Sequence, residues 1–324
     1  MLKAVFFDID GTLLSHQTNC VPPSTVRALE ALRKKGILTF LATGRHISMI
    51  RQMQPLEGLH FDGIVSLNGQ YCRNDQGIIY HCPIEKSAVA TLLDYLKEDP
   101  HPCILVEEDQ MYINFHNALV EKVQAAIHSE MPAIGDLDRG YTVPIYQAIL
   151  YMSEENLAKL PPLPGIRLTR WNLGGADLIP EKGGKAAGIA KVLAHYGIGR
   201  SETMAFGDGE NDVDMFGAVG TAVAMGNACR EAKEAAHYIT DPVDEDGIYN
   251  ALKHFHVIKQ QNRDTFRYPG HFYGLFTRSR TSAGRRSSSL PRCRSWRRTS
   301  GWPWRRRGRR GCGRPASSCG RTHA

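Results

Sequence analysis

The sequence predicts an α/β fold in which a parallel-sheet core is split by an inserted α+β unit. Three observations predict it. Short apolar strand patterns alternate with amphipathic helical patterns up to residue 82. That alternation breaks near Pro83 and resumes after Pro180. On both sides of the break, strand patterns end on polar residues suited to chemistry, where open α/β sheets bind ligands.

Ala4 to Phe7 is a wholly apolar run, the signature of a strand covered on both faces. It ends on two carboxylates, Asp8 and Asp10, followed by Gly11-Thr12, which permits a tight turn. Pro23-Ser24-Thr25 then leads a helix with Val26, Leu29 and Leu32 on one face, closed by Gly36. Ile37 to Ala42 is a second strand ending in Thr43-Gly44-Arg45, and Asp62 to Ser66 is a third ending in Asn68-Gly69. A hairpin is expected around Asn74-Asp75-Gln76-Gly77.

The inserted unit interleaves helical periods (Ala88–Leu96, Leu119–Ile127) with strand-like stretches at Cys103–Val106, Met111–Asn114, Tyr146–Met152 and Ile166–Trp171. Pro161-Pro162, Pro164-Gly165 and Gly174-Gly175 read as punctuation between them. The first pattern then returns as a helix from Lys185 to Tyr196, strand Thr203–Phe206, a helix near Val213–Phe216 and strand Thr221–Met225. Helices near Arg230–Ala236 and Ile248–His254 close it. The expected organisation is a Rossmann-like core at 1–82 and 181–258, an inserted domain at 83–180, and a disordered C-terminal tail at 261–324.

Charge separates tail from body. The net +7 averages a tail with 17 Arg, no Lys and one acid (+16) and a remainder at −9. An acidic body argues against nucleic acid as partner and suits a cytoplasmic metabolic enzyme. The sequence shows neither a signal peptide nor an apolar stretch near the roughly 18 residues a membrane helix needs. Cys20, Cys72, Cys82, Cys103 and Cys229 lack CxxC spacing and read as free thiols, although Cys72 and Cys82 flank the hairpin and could pair. The tail is either a basic arm for RNA or a membrane surface, or an out-of-frame translation of GC-rich DNA. The shift from 13 Lys and 10 Arg in the body to 0 and 17 in the tail favours the second.

Four stations carry the chemistry. At Asp8 and Asp10, one carboxylate can attack phosphorus while the other delivers the leaving-group proton. At Thr43-Gly44, a hydroxyl and successive N–H groups can hold phosphate oxygens. Lys185, opening a helix after Pro180-Glu181-Lys182-Gly183-Gly184, can neutralise the nucleophile and the phosphoryl group. Gly207-Asp208-Gly209-Glu210-Asn211-Asp212 clusters oxygens suited to a hard cation such as Mg²⁺. Each has a plain structural alternative: a loop-forming Thr-Gly pair, a solvated lysine with Lys182 as its rival, a helix N-cap with a first-turn acid. Arg45 and Asn68 are the nearest candidates for contact with the leaving group, and either could equally be a turn residue.

The ordered set resembles the haloacid dehalogenase superfamily, in its Cof-type phosphatase branch with a type IIB cap, over residues 1 to about 258. Ser66-Leu67-Asn68-Gly69, Val223-Ala224-Met225-Gly226-Asn227-Ala228 and Asp246-Gly247-Ile248 join the match. The resemblance implies that Asp8 is nucleophile and metal ligand, and that Asp10 is the acid/base with its backbone carbonyl on the metal. It implies phosphate contacts from the Ile9 backbone, Thr43, Gly44, Lys185 and Asn211, with Asp208 on Mg²⁺ and Asp212 in support. The expected activity is Mg²⁺-dependent hydrolysis of a small soluble phosphate ester, such as a sugar phosphate or a flavin-pathway intermediate, through an aspartyl phosphate. The alternatives are a phosphomutase on the same scaffold and a non-catalytic phosphate- or RNA-binding protein.

Overall fold

Ala4–Phe7 forms the central strand β1 with all four side chains buried. The structure, a computed structural model, describes residues 1–126, 130–171 and 174–259, so the expected tail disorder lies outside the described residues. After β1 come α1 (Pro23–Lys34), β2 (Leu38–Ala42), α2 (Ile47–Gln52), β3 (Gly63–Ser66), β4 (Tyr71–Asn74) and β5 (Ile78–His81). The middle of the chain supplies α3 (Lys86–Glu98), β6 (Cys103–Val106), β7 (Met111–Ile113), α4 (Ala118–Ala126), β8 (Gln147–Tyr151), α5 (Glu154–Leu157), β9 (Ile166–Trp171) and β10 (Gly175–Pro180). It closes with α6 (Lys185–Tyr196), β11 (Thr203–Gly207), α7 (Val213–Ala218), β12 (Thr221–Ala224), α8 (Arg230–Ala235), β13 (Tyr238–Ile239) and α9 (Gly247–His254).

Eight strands form one sheet in the order β13-β12-β11-β1-β2-β3-β4-β5. Six run parallel, and the β4–β5 hairpin adds an antiparallel edge. The chain travels outward from β1 through β2 and β3, then returns on the other side of β1 through β11, β12 and β13. That reversal opens a crevice at the carboxyl ends of β1 and β11. Alternation of β1 side chains feeds two cores. Val5 and Phe7 join a cluster with residues of α1 and α9. Ala4 and Phe6 join one with residues of α6 and α7. Phe6 stacks on Phe40 and Phe7 on Phe206, at ring separations of 5.0 and 5.3 Å.

The second sheet, β7-β6-β8-β10-β9, is antiparallel throughout. Its strand β10 corrects the sequence reading, which took Gly174-Gly175 as loop punctuation. Gly175 and Pro180 are the two ends of a strand that pairs with β9 along its whole length and with β8 from Gly175 to Leu178. The short elements α2 and β13 were also unexpected. Cys72 and Cys82 are both free thiols, so the hairpin disulfide does not form. Among the described residues no helix is long and apolar enough to cross a membrane.

Candidate active site

Register brings the sequence-separated stations together. Phe7 pairs with Phe206 of β11 and Leu41 of β2. Asp8 therefore leaves the sheet beside Gly207-Asp208 on one side and Ala42-Thr43 on the other, about one interstrand spacing away.

Lys185 is the node of the buried network. It opens α6, is 1% exposed, and donates to Asp8 Oδ1 at 2.7 Å and Asp212 Oδ1 at 2.6 Å. Its rival in the sequence, Lys182, is exposed. Burial alone would lower the Lys185 pKa, but Asp8 and Asp212 outweigh it and hold the ammonium charged. Asp214, reaching across from α7, accepts from the Ala186 N–H at 3.2 Å and fixes the first turn of α6. Asp212 Oδ2 accepts from the N–H groups of Asp208 and Gly209, both at 2.9 Å. With both oxygens engaged, Asp212 shapes the site rather than facing it.

Asp208 is held by Thr12, whose hydroxyl donates to Oδ1 at 2.9 Å. Gly11 lies against the same carboxylate at φ +77, where a Cβ would overlap it. Asn227 donates to the Gly11 carbonyl at 2.8 Å and accepts from the Val243 N–H at 2.9 Å, tying the turn after Asp10 to the segments after β12 and β13. Sequence reading missed Thr12 as a positioning group and gave Asn227 no role, although it lies in a motif already singled out.

Carboxylate oxygens of Asp8, Asp208 and Asp212 lie within 4.8 Å of one another. Burial pushes Asp8 up to about 8, with Lys185 opposing and Asp212 adding to the shift. Burial likewise pushes Asp208 up to about 6, against the Thr12 hydrogen bond. One ammonium thus stands against three clustered carboxylates, an imbalance that a hard divalent cation removes. Asp8 and Asp208, whose donors are oxygens alone, fit Mg²⁺.

Arg45 lines the same cavity, and its fork donates to both oxygens of Asp10, at 2.6 and 2.8 Å. Burial opposes its charge, but the Asp10 hydrogen bonds dominate and raise its pKa. Thr43, buried, accepts from the Arg45 N–H through Oγ1, and its carbonyl accepts from the Asn68 N–H. Leu67, Asn68 and Gly69 are consecutive left-handed residues at φ 50, 51 and 88. That strained turn places Asn68 Oδ1 3.2 Å from the Asn211 amide donor and packs its side chain against Gly44. Ile9 buries its side chain completely.

These loops floor a cavity of about 460 Å³ lined by Asp8, Asp10, Thr43, Arg45, Asn68, Asp208 and Asn211. The second sheet roofs it with Val106, Met111, Gln147, Ile149 and Asp177. A latch joins roof to floor. His46 Nε2–H donates to the carbonyls of Glu107 and Glu108, while Nδ1 accepts from the Ser48 N–H. Burial lowers the His46 pKa and favours this neutral tautomer. The Tyr71 hydroxyl adds a bond to Glu108 at 2.9 Å.

Known proteins share this architecture. YkrA of Bacillus subtilis (strain 168), a protein named as a phosphatase, is 36% identical over 259 residues, covering 79% of this chain and 99% of its own length. The crystallised sugar phosphatase BT4131, of haloacid dehalogenase subclass IIB, is 36% identical with a TM-score of 0.68, covering 79% of this chain and 100% of its own. BT1666 from Bacteroides thetaiotaomicron, described among the phosphatases of the same superfamily, is 32% identical with a TM-score of 0.72, covering 80% and 96%. The family model for haloacid dehalogenase-like hydrolases matches residues 5–252, and with these relatives it establishes that the chain belongs to that family and is one of its phosphatases.

Proposed function

We propose that the protein hydrolyses a small phosphomonoester, with Mg²⁺, through an aspartyl phosphate on Asp8. The observation that carries this reading is the convergence of Asp8, Asp10 and Asp208 on one metabolite-sized cavity, with the buried Lys185 ammonium bonded to Asp8 behind them. The Asp8 carboxylate attacks phosphorus in line with the ester oxygen, and Asp10 gives that oxygen its proton as the bond breaks. Asp10 then takes a proton from water, which attacks the phosphorus of the acyl phosphate and frees Asp8. Lys185 balances charge on nucleophile and phosphoryl group; Thr43, Gly44, Asn211 and the Ile9 backbone hold the phosphate oxygens. Asp8, Asp208 and the Asp10 backbone carbonyl would hold Mg²⁺, which supplies Lewis-acid neutralisation of the phosphate dianion. Arg45 orients the Asp10 carboxylate through its two hydrogen bonds. Residues 83–180 serve as the cap, and a sugar phosphate suits the cavity.

The test is phosphate release from a panel of esters with Mg²⁺ or with excess chelator. We expect release that chelator abolishes and that Asp8→Asn lowers by about a thousandfold or more. Release by Asp8→Asn at the wild-type rate would overturn the reading, and isomerisation without phosphate release would transfer it to a mutase.

A further inference from the structure

Arg45 and His46 are consecutive in the chain, yet one bonds to the floor of the cavity and the other to the second sheet. Arg45 clamps the Asp10 carboxylate with two hydrogen bonds. His46, only 3% exposed, donates from Nε2 to the Glu107 and Glu108 carbonyls, at 3.0 and 3.2 Å. One planar peptide joins the two residues, so the backbone that aims one side chain also aims the other.

His46 carries more chemistry than its local place requires. As the cap of α2 it needs only Nδ1, which accepts from the Ser48 N–H. A short acceptor such as Asn serves that purpose as well. The far nitrogen of the ring instead reaches the turn between β6 and β7, which is braced from its own side. The Glu107 N–H donates to the Gln110 carbonyl, and the Glu107 carboxylate accepts from Gln110 and twice from Arg139. At the other end, the Arg45 backbone is tied to the floor through the Thr43 hydroxyl and the Leu67 N–H. The loop 43–46 is therefore a strut between two fixed points, and the guanidinium that holds Asp10 belongs to it.

We propose that His46 is a positioning residue for proton delivery. Its bonds to the Glu107 and Glu108 carbonyls set Arg45, and Arg45 sets the Asp10 carboxyl against the ester oxygen. The seating of the second sheet thereby reaches the acid step. The nucleophile is held separately, since Asp8 takes its hydrogen bond from Lys185. The inference rests on the phosphatase reading and goes beyond it by adding a residue that acts through Arg45.

The test divides the ring into its two halves. His46→Asn keeps an acceptor near the place of Nδ1, and so the cap of α2, but is too short to reach the second sheet. His46→Gln returns an amide N–H near the place of Nε2 and gives up the cap. Each is assayed as the full chain with Mg²⁺ on phenyl phosphate and p-nitrophenyl phosphate, esters of similar shape. Phenolate is the more basic leaving group and depends more on the proton from Asp10. His46→Asn should lower kcat/KM for phenyl phosphate by about tenfold more than for p-nitrophenyl phosphate. His46→Gln should keep the wild-type ratio of the two esters. Tyr71→Phe, which removes a separate bond to Glu108, should keep it too. Equal losses on both esters in His46→Asn, or the same separation in His46→Gln or Tyr71→Phe, overturns the inference while leaving the phosphatase reading intact. A His46→Asn chain that does not fold makes the contact structural and also overturns it. Absence of turnover of both esters by the wild type overturns both readings.

Discussion

Lys185 illustrates how much a single residue's surroundings add to its identity. Composition offered two lysines three positions apart, and helix phasing favoured the second; the structure buries that second lysine against Asp8 and Asp212 and leaves the first exposed. The meeting of Asp8, Asp10 and Asp208 in one cavity was equally legible, because carboxylates at strand ends are a local pattern. The clamp of Arg45 on Asp10 was not, since nothing in the sequence marks which carboxylate a guanidinium will meet. Thr12 escaped for a related reason, its partner lying 196 positions away. Lys185→Met would leave Asp8 and Asp212 buried and facing each other without their counter-charge. We expect a stability loss of about 3–5 kcal/mol in urea unfolding and at least a hundredfold or so loss of kcat. A stability within about 1 kcal/mol of wild type would show that the ammonium does not neutralise this pair.

At the scale of elements, the 67–69 turn and α6 are fitted to each other. Gly69 sits at φ 88 with its Cα against the start of α6, where an added Cβ would collide with the Gly184 carbonyl. Gly69→Ala should therefore lower stability by about 1–3 kcal/mol and reduce kcat by displacing Lys185. A Tm and kcat equal to wild type would contradict that coupling. In the second sheet, two hydrogen bonds from Arg139 hold the Glu107 carboxyl below its ordinary value of 4.5. A depressed folded pKa contributes stability that is present above the unfolded value and lost as pH falls through the folded one. Glu107→Gln should thus melt below wild type at neutral pH, with the difference shrinking below about pH 4. A difference independent of pH would remove the ion pair as its cause. Most strands were legible because apolar runs bounded by turn residues are local signals. The strand β10 was not, because its terminal Gly and Pro are the residues that usually break a strand. The helix α2 is only six residues long and takes its cap from the side chain of His46.

At the scale of the molecule, the two-part architecture was legible as a change of rhythm along the chain, whereas the composition of the roof was not. Which strand face meets the floor depends on how one sheet lies over the other, and the His46 and Tyr71 latches come from residues with no sequence mark. The family match ends at residue 252, within α9. Deleting residues 261–324 should therefore leave Tm and phosphate release unchanged; a loss of either would make the Arg-rich segment part of the enzyme. The most direct test of the whole account is mass spectrometry of enzyme quenched in acid during turnover of an aryl phosphate. With Asp10→Asn slowing breakdown of the intermediate, we predict an adduct of about 80 Da on the peptide carrying Asp8, absent from Asp8→Asn. Continued turnover with no adduct, or with the adduct on another residue, would contradict covalent catalysis by Asp8.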